Sequence, residues 1–281
     1  MNAMLCAVIL IPSFIASHYL YTECDPEAPP SYDAGNIEAA CALAMHEPIL
    51  FANALFFVNV TLGFWLIGLL QKSFWLIDPY WTLLPPLLGH LYQLHPNAHA
   101  DETRSRVTLG LLWIWSARLT YSYFRREDWK FGEREDWRYT KMAKENPRSW
   151  WLLSFLAVGL AQQPMLVGIS LPAYTVHTST APWDHFDMLA AFGCVLGLST
   201  AYFADNQLRV FMLNNEALAK AGKPKAPVLD TGLWARLNSS TPPFSTLPEI
   251  CSRTLMGFPA PPPFSPTGWG EATHQAEEGF L

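Results

Sequence analysis

The sequence predicts an all-α, polytopic membrane protein with about six transmembrane helices and a disordered C-terminal tail. Three observations lead there. Of its 281 residues, 51% are hydrophobic and only 15% charged, against about 25% charged in an average soluble domain. The apolar residues gather into six runs, each near the roughly 20 residues a helix needs to cross a bilayer core of about 30 Å. Lysine and arginine sort to one side of those runs when sides alternate along the chain. The formal net charge is −6, so no global basic field exists to hold phosphates. That excludes a nucleic-acid binder, and the apolar content excludes a disordered chain.

The first run, residues 1–20, contains no Asp, Glu, Lys or Arg. It reads as a first span rather than a signal peptide, which would open on basic residues. Residues 48–70 and 149–176 are equally free of charge. The runs 73–94, 107–124 and 183–204 carry ionisable groups: Asp78, Arg118, and the Asp184, His185 and Asp187 cluster near one end. Loop 22–47 has six acidic residues and no basic one, while 125–148 has eight basic residues. Alternation gives one side Lys72, the 125–148 stretch and everything beyond 204, fifteen of the 18 Lys and Arg. The other side receives only Arg104 and Arg106. The positive-inside rule then places both termini in the cytosol and loop 22–47 in a lumen, that of the endoplasmic reticulum or another endomembrane. Residues 1–225 form the transmembrane domain. Residues 226–281 form a proline-rich tail, with eight Pro between Ser240 and Leu281, and Pro261-Pro262-Pro263 excludes helix there.

The five cysteines form no CxxC pair, so neither a zinc ribbon nor a disulfide scaffold is indicated. Cys24 and Cys41 share loop 22–47, where an oxidising lumen permits a disulfide between them. Two unpaired thiols is the other reading. His90, His95 and His99 are close in sequence, but Pro96 interrupts any shared helical face, so no metal site is predicted. GxSxG, GxGxxG and Walker-type loops are missing from the sequence.

An ionisable side chain within a span costs about 2.5–3.5 kcal/mol on insertion scales and is a functional candidate by default. Asp78, Arg118 and Asp205 fall at similar depth on the cytosolic side, where an anionic cofactor could enter. An Asp78–Arg118 salt bridge that only fastens two helices, or a snorkelling arginine, is the plainer reading. The stretch Arg125 to Tyr139 interleaves basic, acidic and aromatic residues. It could hold nucleotide phosphates on Arg forks and stack a base on Trp or Tyr, or lie as a charge-paired loop at the headgroup level.

Several blocks resemble one family. Ser73-Phe74-Trp75-Leu76-Ile77-Asp78-Pro79-Tyr80-Trp81 with Leu84-Pro85-Pro86, then Trp115-Ser116-Ala117-Arg118-Leu119-Thr120, are similar to elements of the domain of unknown function 1295 (DUF1295) family. Gly132-Glu133-Arg134-Glu135-Asp136-Trp137-Arg138-Tyr139, Ala204-Asp205-Asn206-Gln207-Leu208 and Gly232-Leu233-Trp234 resemble further blocks, in order over roughly 70–234. That family is related to the steroid 5-alpha-reductases.

The resemblance implies an all-helical membrane fold with a lipid-facing cavity and a cytosolic NADPH site. The implied reaction reduces the double bond of an enone in a lipid or steroid-like molecule. Asp205 and Arg118 are implied as cofactor-binding residues. Asp78 is implied as the catalytic residue that orients the ketone oxygen. The reductases' catalytic tyrosine corresponds to Trp115, whose indole donates a hydrogen bond but is no useful acid. After Trp234 the family's serine-arginine-histidine-proline-asparagine-tyrosine-phenylalanine-glycine-glutamate run is replaced by Ala235-Arg236-Leu237-Asn238-Ser239-Ser240. The expectation is therefore a reductase impaired by a truncated or altered C-terminus. The alternative is a catalytically inactive membrane scaffold or regulator. In genomic DNA, a frame or exon after the Trp234 codon that restores the missing run is the expected sign of such an alteration.

Overall fold

A computed structural model describes residues 2–32, 37–126, 128–130, 132 and 135–235, with the backbone alone for residues 2–10. Among the described residues all regular structure is helical. The helices are α1 (Asn2–Glu23), α2 (Ile37–His46), α3 (Pro48–Phe56), α4 (Trp65–Gln71), α5 (Ile77–Gln93) and α6 (Glu102–Arg126), followed by α7 (Trp137–Glu145), α8 (Trp150–Ser154), α9 (Gln163–Thr178) and α10 (His185–Lys220). π-Helical residues Phe57–Phe64 join α3 to α4 as one rod, Pro48–Gln71. A π turn at Phe155–Gly159 and a 3₁₀ turn at Leu160–Gln162 join α8 to α9 as Trp150–Thr178. These two rods and α10 are long and apolar enough to cross a membrane.

The chain divides into two units at Leu198 and Ser199. In the first, α5 packs against α9 and α6. Its buried face, with Tyr80, Leu84, Leu88, Leu91 and Tyr92, meets Leu166, Val167 and Ala173 of α9 and Phe56 of α3. The π-helical segments of the two rods pack on each other, with the Phe57 and Phe155 rings edge-on at 6.5 Å. Loop 22–47 contains α2, which the acidic composition did not suggest. Ala42, Ala44 and Met45 bury its inner face, and Cys24 and Cys41 are disulfide-bonded with Cα atoms 5.5 Å apart. Of the charges near the start of α10, Asp187 is held by Arg104, whose Nε and Nη2 donate to its two oxygens at 2.9 and 2.5 Å.

The apolar run 183–204 predicts a helix that ends near its last apolar residue, yet α10 continues to Lys220. No breaker stands between those points. Gly222, at φ 69°, then stops the helix: its N–H donates to Ala219 O at 3.0 Å and the Lys223 N–H to Leu218 O at 2.9 Å. That pair of bonds is a Schellman cap, which requires a left-handed residue. Of the proline-rich tail, residues from 236 on lie outside the described residues. Residues 226–235 turn back onto α10, with Asn215 exchanging two hydrogen bonds with Ala226 at 2.9 Å.

Candidate functional site

The site begins where α4 ends. Lys72 adopts a left-handed conformation, φ 55°, and the Ser73 N–H donates to Gly68 O at 3.0 Å. The chain reverses there, burying Phe74, Trp75 and Leu76, and α5 starts with half-buried Asp78 in its first turn. The loop after α6 folds onto this reversal. The Phe74 N–H donates to Glu135 Oε2 at 2.6 Å and the Asp136 N–H to Glu135 Oε1 at 3.2 Å. Burial raises the Glu135 carboxyl above its ordinary range, and hydrogen bonds from Ser73, Phe74 and Asp136 offset part of that. Gly132, at φ 70°, lies flat against Trp75: a Cβ there would stand 2.7 Å from the indole ring. Only glycine meets both the dihedral and the contact.

Asp136 caps α7 by accepting from the Arg138 N–H at 2.7 Å. The Arg138 guanidinium also donates to it, Nε at 3.0 Å and Nη2 at 2.6 Å. Burial alone would raise the Asp136 carboxyl, but these bonds hold it below the usual range. The same contact, above all, raises Arg138. Tyr139 is buried, and burial followed by the nearby Asp78 charge pushes its phenol up to about 12. Gln162 Nε2 donates to Tyr139 Oη at 3.3 Å, and Trp81 Nε1 donates to Gln162 Oε1, tying loop, rod and α5 together. The charges facing Asp78 are Asp136, Arg126, Arg138 and Glu135.

Helices α5 and α6 run antiparallel. Thr120 Oγ1 donates to Thr82 Oγ1 at 2.6 Å, Trp113 Nε1 to His90 Nε2 at 2.9 Å, and Gln93 Nε2 to Ser105 Oγ at 3.2 Å. In that register residue 78 lies opposite residue 124, so Arg118 sits about 9 Å further along the axis at 1.5 Å per residue. Asp78 thus faces the post-α6 loop, and Arg118 lies half-buried one level deeper. Asp205 is half-buried on the part of α10 in the second unit. Beside it, Trp234 Nε1 donates to Ala204 O at 3.2 Å and the Leu233 N–H to Gln207 Oε1 at 2.9 Å, so two separated sequence blocks meet. The three histidines have structural partners: His95 is 3.0 Å from Ala44 O, His90 3.0 Å from Gln93, and the His99 N–H donates to His177 O at 3.0 Å. Among the described residues no group of three His, Cys, Asp or Glu is placed to hold a metal. Trp75 and Tyr139 stand in blocks that carry the resemblance, but no role for Trp75 and only base stacking for the Trp and Tyr of 125–139 is read from the sequence. Gln162 is not singled out there, because an amide side chain has many ordinary roles.

The blocks from Phe74 to Trp234 thus form two local structures, and a known family spans both. The profile described as Protein of unknown function (DUF1295) matches residues 64–238, well over half of the chain. The chain belongs to the DUF1295 family. No curated protein and no solved structure matches it.

Proposed function

We propose that this DUF1295 protein is a membrane-embedded, steroid 5-alpha-reductase-like oxidoreductase that reduces the enone double bond of a lipid with NADPH. The change of residues after Trp234 weakens its hold on the cofactor. The observation that carries this reading is the docking of Gly132 and of Glu135–Tyr139 onto Phe74–Asp78, above all through Glu135. It gathers two blocks of the resemblance around one carboxylate at the mouth of α5. The donor chemistry supports NADPH: Arg118, in the first unit, would offer a guanidinium fork to a phosphate, and Asp205, in the second, would offer a carboxylate to a ribose hydroxyl. NADPH, when bound, supplies the hydride for the β-carbon. Asp78, as the protonated acid, would donate a hydrogen bond to the ketone oxygen where negative charge develops, and the Glu135 clamp holds the start of α5 in place while it does so. In this reading the protein has six spans in an endomembrane, with both termini cytosolic.

A second reading, an inactive scaffold, is favoured by the residues after Trp234, where Ala235-Arg236-Leu237-Asn238-Ser239-Ser240 stands in place of the run that the resemblance implies would hold the cofactor. Purified protein in nanodiscs, given NADPH and a sterol enone, separates the two. NADPH oxidation that matches enone consumption and is lost in Asp78→Ala supports the reductase. No consumption by the wild-type chain supports the scaffold.

A further inference from the structure

At the end of α5 away from Asp78, a polar chain crosses three helices. His177 on α9 and Ser105 on α6 are both buried and lie 72 residues apart in sequence, with Ser105 Oγ 3.0 Å from His177 Nε2. His177 Nδ1 is 2.7 Å from Ala173 O. A carbonyl only accepts, so Nδ1 carries the ring proton and Nε2 is left as the acceptor for the serine hydroxyl. The Gln93 amide donates to the same Ser105 oxygen at 3.2 Å and is itself held by His90 at 3.0 Å. A cavity of about 240 Å³ opens on this group, lined by Gln93, Ser105, His177, Arg106 and Glu102.

We propose that Ser105 and His177 form a nucleophile–base dyad that hydrolyses a carboxylic ester entering this cavity, an activity separate from the reductase site. The parts match what acyl transfer needs: a hydroxyl within reach of an imidazole acceptor, a third group fixing the tautomer, and an amide donor beside the nucleophile. The Ser105 Oγ–carbon bond forms as the hydroxyl proton passes to His177 Nε2, and the oxyanion faces Gln93 Nε2. The ester C–O bond then breaks, and the alcohol leaves with the proton from His177. Water attacks the acyl-serine, gives a proton to His177 and releases the carboxylic acid as that proton returns to Ser105 Oγ. The sum is ester plus water to acid plus alcohol. A cavity of this size admits the ester group with a short segment on either side, whether it comes from solution or from a lipid at the interface.

The test uses the full chain in nanodiscs and a biotinylated fluorophosphonate, with peptide mapping of the product. The account expects covalent labelling on Ser105, none in Ser105→Ala, and labelling slowed about 10²–10⁴-fold in His177→Gln, the usual worth of a general base. Wild-type protein without label on Ser105 overturns the proposal, and this arm needs no variant to fold. Labelling of folded His177→Gln at the wild-type rate overturns it as well. Two substrates then assign the source: butyrate released from p-nitrophenyl butyrate points to a soluble ester, and oleate released from dioleoylglycerol points to a membrane ester. Turnover of neither contradicts the activity.

Discussion

The two ends of helix α5 are organised by different chemistry. At its start, Asp78 faces Glu135, Asp136, Arg126 and Arg138, and the structure around it is held by charge-assisted bonds such as the 2.6 Å contact of Arg138 with Asp136. At its far end, Gln93, Ser105, His177 and His90 link three helices through neutral groups at 3.0–3.2 Å. Close by, α2 is pinned to the end of α1 by the Cys24–Cys41 disulfide. Charged contacts at the first end come from one loop folding over a helix start. At the second, neutral contacts come from helix packing and a covalent clamp, beside one ion pair, Arg104 with Asp187. The two ends should therefore fail independently, since sites more than about 7–10 Å apart with no shared partner usually act additively.

The largest expected effect is at the clamped end. Replacing Cys24 and Cys41 with Ser, or reducing them, should cost about 3 kcal/mol by the chain-entropy estimate for a loop of this length. Thermal unfolding with and without reductant measures it, and amide exchange over 132–139 should stay unchanged. At the charged end, Glu135→Ala strands the buried Phe74 N–H and should cost about 1–3 kcal/mol. Exchange at residues 73–78 should rise while residues 93–98 stay protected. A loss of protection at both ends would show that the two are coupled. Gly132→Ala should cost about 1–2 kcal/mol from the left-handed backbone, with a further displacement of Trp75 readable in its fluorescence.

The smallest effect is in the pH profile. Asp136 is held below the ordinary carboxylate range, so its contribution is full above the unfolded value and is lost as pH falls through the folded one. Glu135 is shifted the other way. Its contribution is full at acid pH and is lost as pH rises through its raised value. Asp136→Asn should therefore flatten the fall in melting temperature below about pH 4, the ordinary Asp range, and Glu135→Gln should remove the opposite slope. A single acid limb unchanged in both variants would mean that neither carboxylate is tied to folding.

The same contrast explains what could be read in the sequence. Each of the six apolar runs lies largely in helix among the described residues, because a long apolar run is a strong local signal, although three helices alone qualify there as spans by length and apolarity. Helix α2 was hidden by the acidic residues that flank its Ala-rich centre, and the extra length of α10 by its switch from apolar to polar helix formers. Asp78 stood out because a carboxylate in an apolar run needs a reason. Its partners Glu135 and Arg138 did not, since a stretch of alternating charge reads equally well as solvated. The pairing of Ser105 with His177 is invisible in sequence, for each is an ordinary polar residue near the end of its own helix. Only the register of α5, α6 and α9 brings them together.

The reductase reading depends most on whether the chain takes up NADPH. Titrating NADPH into the purified protein in nanodiscs, followed by energy transfer from tryptophan to the nicotinamide, tests that directly. The account predicts saturable binding, weakened about tenfold or more by Asp205→Ala or Arg118→Ala, the effect of losing about 1.4 kcal/mol of contact. Binding that is absent in the wild-type chain, or that is indifferent to both substitutions, would contradict it.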